Sequence, residues 1–573
     1  MKKLFFLLSL LFGYFNSTQA QHCYPANAFN ELNVNNVNTR IYNFTDKWRD
    51  VNPSFSPPHY EVPKGSGKNA LNAGTIWIGG YDDNGVLKTA AMTYRQNVGM
   101  DYFPGPIGNI NGSLTFDTSN CTRYNKVWSF NKSDILDFLN NGNITNDMLT
   151  YPANGNTSVG EMQILSPFYD ADNNGLYEPS KGDFPLMDVY NNLPLTTPQL
   201  YGDQCLYAIC NDFAGTKTET RSLPLGIEIH QQSFAFSSPV AAINNTTFYL
   251  YRIINRSNFK YDSVFVGHWT DPKLGAYFDN YIGCNVPLNI GFCYNADNND
   301  DDGTGTCYGL NPPAIGIKLL QGPRVGKDDG LDNNHNGITD EADERWGMSK
   351  FMNYWSDFTH FGSPEDSLEY YYYLSGYWKN GQRWSRDNIK GTNPGYPPTD
   401  YFYPGTTDPA YPGSDWTEFT AGNSPYFRLF VMTTGPFTLD AGQEETIIYA
   451  VIWSSSGVSN MASLDTLLKD AVTIQNFYNN NFNLNTTQPD SNAISVSIFP
   501  NPSKDFVQIE INQTSFNTHF KLELRDLCGK FIEQKDITNN RHRLNIHSLA
   551  KGVYTCSVYN NDGFKAVRKI IKL

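Results

Sequence analysis

Residues between Asp332 and Asp343 have the types and the spacing of a calcium ligand set. Asp332, Asn334, Asn336, Asp340 and Asp343 fall at positions 1, 3, 5, 9 and 12 of a twelve-residue loop, with Gly337 at position 6 and Ile338 at position 7. A hard divalent cation gathers six to eight oxygens, and alternate residues of a tight loop aim theirs inward. Glycine permits the sharp turn, and position 7 contributes its backbone carbonyl. Asp343 stands where a longer Glu normally supplies two oxygens, and Glu344 follows one place on.

A second loop carries the first half of the same pattern: Asp170, Asp172, Asn174 and Gly175, then Leu176 at the carbonyl position and Glu178 at position 9. Lys181 occupies position 12, so Asp183 must complete this shell. A third run places Asp297, Asn299 and Asp301 at alternate positions but has Asp302 where glycine belongs. The plain alternative for all three is a solvated Asx turn without metal. No EF-hand helices flank them, so the expected ion is a structural Ca2+ in the free-standing loops of an extracellular domain. Such modules bind with a Kd of about 10⁻⁴ to 10⁻³ M.

The elements that carry these loops read as strands. Thr75–Tyr81 and Val86–Met92 flank Asp82-Asp83-Asn84-Gly85 and predict a hairpin. Thr247–Ile254 is apolar on nearly both faces, which suits the middle of a sandwich. Ile227 and Ile229 share one parity and Phe234 and Phe236 the other, so placing both pairs in one core requires a bulge near Gln231-Gln232. Val264–Trp269 continues the strand pattern, and Arg428–Thr433 with Thr446–Trp453 predicts a further β-pair around Gly435-Pro436-Phe437. One helix is expected between Ser463 and Tyr478, where Leu464, Leu467, Leu468, Ala471, Ile474 and Tyr478 recur at three- and four-residue steps and Ser463 is the cap. The fold class is mainly β: a β-sandwich-rich body with calcium-type loops and one closing helix, then a C-terminal Ig-like β-sandwich.

Composition fits an exported chain. Of 573 residues, 17% are charged and 14% aromatic, and many polar positions are Asn, Ser, Thr or Gly. Residues 496–573 hold 12 Lys and Arg against seven Asp and Glu, a balance of +5 that leaves −20 on the remainder of a chain whose total is −15. An acidic body with a basic tail module argues for separate partners and against nucleic acid, whose phosphates require a basic footprint. Among nine cysteines, Cys205/Cys210 and two of Cys284, Cys293 and Cys307 are the near-sequence candidates for pairing, and the odd number leaves at least one thiol over. No Gly-x-Ser-x-Gly, His-Glu-x-x-His or local Cys/His signature is present. His268 to Asp271 and Asp279 to Tyr281 offer polar groups beside strands. Tyr370 to Tyr373 with Tyr377, Trp378 and Trp384 reads as a sheet core and rim, or as a carbohydrate-stacking face.

The ends define the domains. Lys2 and Lys3 precede an apolar run from Leu4 to Phe15, and small residues at Thr18 and Ala20 mark a signal peptide over 1–20, too short to span a bilayer. The mature chain has no transmembrane segment on this reading. The body covers 21–478, as one unit or two subdomains, an Asn-rich linker follows over 479–495, and a module occupies 496–573. In that module Val507, Ile509 and Ile511 alternate with polar residues, as do Phe520, Leu522 and Leu524, within about seven short strands.

The module's Phe499-Pro500-Asn501-Pro502 opening, Asp526 through Lys530, Leu549, Gly552-Val553-Tyr554 and basic last strand resemble the C-terminal sorting domain (type A) of the type IX secretion system of Bacteroidota. That resemblance implies export through the inner membrane, recognition by an outer-membrane translocon, and a secreted or outer-membrane cell-surface destination. Gly202-Asp203-Gln204, Asn211-Asp212, Phe248 to Ser257 and Asp271 to Gly283 make the body similar to uncharacterised exported proteins that carry this domain. The expected function is a calcium-stabilised surface protein for adhesion, surface structure or binding of a glycan or protein ligand. The alternative is a secreted hydrolase acting on polysaccharide or protein, whose paired carboxylates leave no spacing signature.

Overall fold

A computed structural model describes residues 23, 27–51, 57–94, 99–186, 201–325, 329–334, 339–340, 344–355, 359, 361–387, 391–482, 495–499, 501–512, 520–526, 530–537, 539, 541–560 and 565–573. The expected signal peptide lies outside them, as do Asn336, Ile338, Asp343 and most of the linker. The chain divides into two compact units, 1–482 and 483–573.

The first unit is built on a nine-stranded antiparallel sheet. Its order is Asn280–Asn285, Ile290–Asn295, Ala314–Gln321, Glu444–Ser454, Thr246–Asn255, Ile227–Ala235 and Gln204–Asn211, with Phe103–Pro104 and Trp128–Asn131 both pairing on the last of these. A five-stranded sheet, Lys350–Tyr354, Leu429–Leu439, Tyr261–Pro272, Leu71–Asp82 and Leu87–Ala90, packs on one face. The other face is covered by the helix α3 (Asn460–Asn479) and the segments around α1 (Lys132–Asn141).

Both faces of the large sheet are therefore interior, and alternation along each strand distributes side chains between two cores. On Thr246–Asn255, Tyr249, Tyr251 and Ile253 enter the core between the sheets, and Phe248 and Leu250 the core beneath α3. The expected bulge near Gln231 is absent. Register on both neighbours runs unbroken from Ile227 to Ala235. Ile227 and Ile229 belong to one core and Phe234 to the other, so no correction of parity is needed.

The hairpin forms as expected: Gly80 pairs Lys88 and Tyr81 pairs Leu87. Its turn is closed by the Asp82 carboxylate, which accepts the Asn84 and Val86 N–H groups, and by Gly85 at φ 75°. Leu429–Leu439 and Glu444–Ser454 are strands but do not pair with each other. The first joins the five-stranded sheet and the second the nine-stranded sheet, so their turn crosses between layers.

Helix α3 is capped four residues earlier than expected. The Ser459 hydroxyl accepts the Ala462 N–H, while Ser463 bonds Ser456. The Tyr370–Tyr373 run lies in α2 (Ser367–Ser375), capped by Asp366 and ended by Gly376. Tyr370, Tyr371, Tyr373, Trp378 and Trp384 are buried in the core between the sheets, whereas Tyr372 is half-buried and Tyr377 is 37% exposed at its rim.

Cysteine pairing differs from expectation. Cys23 bonds Cys121 across a separation of 98 residues. Cys205 and Cys210 are free because, five places apart on one strand, they enter opposite cores. Cys284 and Cys293 share a face but lie two residues out of register, beyond disulfide reach, and Cys307 is also free and buried.

A buried polar seam runs between the sheets. Trp48, at φ 75° and fully buried, inserts its ring against Tyr60, Tyr249 and His268, and its Nε1 donates to the Tyr249 hydroxyl at 2.9 Å. A methyl at Gly74 would fall 2.2 Å from that ring. Beside it, Lys47 Nζ donates to the Tyr251 hydroxyl at 2.8 Å and the Thr45 carbonyl at 3.0 Å.

The second unit is a seven-stranded sandwich in two antiparallel sheets. Ser495–Phe499, Phe506–Asn512 and Arg541–Asn545 form one, and Phe531–Ile537, Phe520–Asp526, Gly552–Asn560 and Lys565–Lys572 the other. Val507, Ile509, Ile511, Phe520, Leu522 and Leu524 enter its core, as their alternation predicts.

Burial pushes the Lys47 ammonium down to about 7 from an ordinary value of 10.5, with Asp46 opposing in part. Unfolding between these values takes up a proton, so this group makes stability rise with pH across that window, by about 1.4 kcal/mol per unit. Expected outcome: between pH 7.5 and 10 the melting temperature of the wild type rises relative to that of Lys47→Met. Parallel pH profiles would contradict a buried, neutral lysine.

Candidate functional site

The 170–183 loop connects the short strands Phe168–Tyr169 and Phe184–Pro185, which pair with each other and fix its two ends. Within it, oxygens of Asp170, Asp172 and Asp183 lie within 4.8 Å of one another. Asp183, placed in the sequence as the residue that must complete the shell, is fully buried. Its carboxylate accepts the Ala171 N–H at 2.8 Å and the Glu178 N–H at 2.7 Å. Asp170 accepts the Gly175 N–H at 2.8 Å and the Asn174 N–H at 3.2 Å, and those amides hold its carboxyl below the usual range. Gly175 takes φ 76°, the turn that position 6 requires.

The remaining expected ligands line the same loop. Asn174 Nδ2 donates to Asp172 at 3.0 Å and to Glu178 at 2.8 Å, and its Oδ1 accepts the Leu176 N–H. Lys181, at position 12, sits 2.5 Å from Glu178 and 3.7 Å from Asp172. Its ammonium holds the Glu178 carboxyl below the usual range. The three carboxylates are the oxygen donors the loop brings together, a ligand type that suits a hard cation such as Ca2+, while the Asn174 Oδ1 is engaged by the Leu176 N–H. Lys181 supplies positive charge at the side of the loop where Glu would otherwise add two oxygens.

Of the first loop, Asp332, Asn334 and Asp340 are described. Asp340, at φ 55°, accepts the Gly330 N–H at 3.0 Å, and the Asn334 carbonyl accepts from Asn289 Nδ2 at 3.2 Å. Glu344 is buried and its carboxylate accepts the Asn333 N–H at 2.6 Å, so this acid closes the base of the loop. In the third run Asp297 and Asp301 accept N–H groups two residues on, as Asx turns do. The residue with a fixed role there is Asp300, buried and bonded to the Ala276 and Tyr308 N–H groups.

Of the polar groups beside the strands, His268 and Asp271 are enclosed and Asp279 is half-buried. Asp271 is 1% exposed and its Oδ2 accepts from Tyr94 and Asn72. Burial raises it to about 6 and, together with nearby Asp300 and Asp297, raises Asp279 to about 7. His268 is buried against Trp48 and Tyr449, and burial, then Lys47, depresses its protonation.

Sequence reasoning missed a hydrogen-bonded chain. His230 Nε2 lies 2.8 Å from Glu228, its Nδ1 lies 2.6 Å from the Tyr207 hydroxyl, and Tyr207 meets Ser166 Oγ. All four residues are buried, so the chain satisfies polar groups inside the sheet instead of presenting a nucleophile. Its alternating members Glu228 and His230 were visible as two polar residues on one strand face.

In the C-terminal unit, Asn501 of the Phe-Pro-Asn-Pro opening pairs with the last strand. Its Nδ2 donates to the Lys569 carbonyl at 2.6 Å and its Oδ1 accepts the Ile571 N–H at 2.7 Å. Ser503 continues the pairing, donating to Ile571 and accepting from Leu573. Asp526 accepts the Lys530 N–H at 2.9 Å, and the Tyr554 hydroxyl donates to the Ala550 carbonyl at 2.7 Å. Asn501, Ser503, Asp526 and Tyr554 thus each close a turn or an edge of the sandwich.

Residues 497–573 match the secretion system C-terminal sorting domain. This segment is a type IX sorting domain of the Bacteroidota kind; it implies interaction with the secretion system and places the protein outside the cell or at its surface. No curated protein matches the chain. Among solved structures it is similar to a polysaccharide lyase, at 8% identity over 61% of this chain and 35% of that one, with a TM-score of 0.18. It is also similar to the β-glucuronidase of Ruminococcus gnavus, at 8% identity over 52% of this chain and 43% of that one, with a TM-score of 0.13. The chain spans less than half the length of these proteins. Among the described residues no helix is long and apolar enough to cross a membrane.

Because Asp183 ties both flanks of its loop through backbone N–H groups, its role is expected to persist without metal. In chelator, Asp183→Asn is expected to lose about 1–3 kcal/mol in urea unfolding, whereas Asp172→Asn stays within about 0.5 kcal/mol of wild type. Equal losses would show that the two acids are not divided into a clamp and a ligand.

Proposed function

Starting from a chain delivered to the cell exterior by its sorting domain, we propose that the body is a calcium-stabilised, non-enzymatic surface scaffold serving adhesion, surface structure or ligand binding. The observation that carries the reading is the convergence of Asp170, Asp172 and Asp183 on one loop. Carboxylates this close repel one another, and a divalent cation relieves that repulsion while joining both ends of the loop. Asp170, Asp172, Asp183, Asn174 and the Leu176 carbonyl are the groups to hold it, with Glu178 once released from Lys181. Asp332, Asn334 and Asp340, with Asn336, Ile338 and Asp343, are assigned to a second ion on their spacing. The ion supplies cohesion: it binds the folded loop and not the unfolded chain, so it adds stability by mass action.

The scaffold reading also draws on burial. The raised acid Asp271 is shut away by Tyr94 and Asn72, and the Glu228-His230-Tyr207-Ser166 chain is interior. These groups act on the protein's own backbone and side chains.

Calcium at a hundredfold excess over its Kd is expected to add about 2.7 kcal/mol, seen as a higher melting temperature than in chelator. Asp172→Ala is expected to abolish part of that difference, and coincident wild-type curves would overturn the calcium assignment. For the address, deleting Ser497–Leu573 is expected to leave the body in the periplasm. Undiminished surface display of the shortened chain, measured by protease accessibility on intact cells, would contradict it.

A further inference from the structure

A cavity of about 380 Å³ opens where Trp355 meets the 422–428 segment, lined by Trp355, Asn423, Ser424, Pro425, Tyr426 and Arg428 among others. Its floor is fixed. Arg428 and Glu418 form a fully buried pair, with Arg428 Nε 3.0 Å from both Glu418 oxygens and Nη2 2.6 Å from Oε2. Arg428 Nη2 also holds the Ser424 carbonyl at 2.8 Å, and Glu418 accepts the Ile282 N–H at 2.9 Å, which locks the segment to the edge strand Asn280–Asn285.

The walls are aromatic and open to solvent. The rings of Trp355 and Tyr426 lie 6.2 Å apart, and Phe278 follows 5.4 Å from Tyr426. Tyr426 and Phe278 are each 48% exposed. Exposed rings gathered beside a cavity are the kind of apolar patch with polar rim that binding sites present.

Charge narrows the occupant. The Arg428 guanidinium already stacks on Trp355, 4.6 Å from its ring centre, so a second cation there meets like charge. Glu418 neutralises Arg428, so an anion finds no unpaired positive partner. What suits two electron-rich rings with the Ser424 hydroxyl and backbone polar groups at the rim is a neutral ring with an apolar C–H face and hydroxyls around its edge.

We propose that this cavity is a carbohydrate-binding site that takes a neutral pyranose unit of a polysaccharide, stacked on Tyr426 beside Trp355. The site deepens the ligand-binding part of the scaffold reading and rests on it. It places adhesion at the edge of the nine-stranded sheet, on a segment pinned by a buried ion pair.

Native gel electrophoresis of the full mature chain in gels containing xylan, mannan or a mixed-linkage β-glucan tests it, with polygalacturonate as the anionic comparison. Expected: at least one neutral polymer retards the wild type, Tyr426→Ala weakens that retention about tenfold, and Phe419→Ala, which removes a 74% exposed ring outside the cavity, leaves it unchanged. Because Tyr426 is at the surface, its variant is expected to melt with the wild type, which separates loss of binding from loss of fold. Retention by polygalacturonate alone, retention equal in Tyr426→Ala, or no retention by any neutral polymer overturns the proposal. In that event a calcium-dependent melting shift still stands for the scaffold, so the two readings fail separately.

Discussion

The nine-stranded sheet has no solvent face across its central strands, and most other features of the body follow from that. A sheet with one wet face can leave every second residue polar without consequence. Here both parities are interior, so each strand must satisfy two cores at once, and every polar group on it needs a partner in the protein. Tyr249 and Phe248 are neighbours in sequence yet belong to different cores. The same condition explains the interior polar chains: Lys47 leans on Tyr251, Trp48 on Tyr249, and His230 spans Glu228 and Tyr207. It also explains the length of the covering material. A second sheet closes one side, and α3 with the 120–186 region closes the other.

Local chemistry was the legible part of the sequence. The Asn84-Gly85 turn, the three- and four-residue spacing of Leu464, Leu467, Ala471 and Ile474, and the alternation of Val507, Ile509 and Ile511 each state their own structure. What escaped was decided by partners distant in the chain. Four tyrosines in a row hide a helical period and favour a strand by propensity, although Asp366 and Gly376 bracket them as caps. Ile227 and Phe234 suggested a bulge because one core was assumed, when the strand serves two. Cys205 and Cys210 are close in number but opposed in direction, whereas the bonded pair Cys23 and Cys121 carries no local signal.

The functional regions divide in the same way. Asp170, Asp172 and Asp183 come from one short stretch, so spacing alone brought them together on paper, including the outlying Asp183. The aromatic cavity draws on Trp355 and the 422–428 segment, with Phe278 beside Tyr426, three pieces that no sequence window contains. Glu344 shows an intermediate case. Its position after Asp343 suggested a substitute ligand, and the fold uses its carboxylate to hold the Asn333 N–H at the base of the loop.

Asn501 ties the two ends of the sorting module to each other. Its side-chain amide lies at the start of the sorting module yet pairs with Lys569 and Ile571 in the module's last strand, and Ser503 reinforces the same seam. The sandwich therefore closes only when its own final strand has been synthesised and has reached its place. A chain broken off during synthesis, or clipped near that strand, exposes an open edge instead of a finished surface. The opening motif and the last strand are thus one structural element split between the two ends of the module.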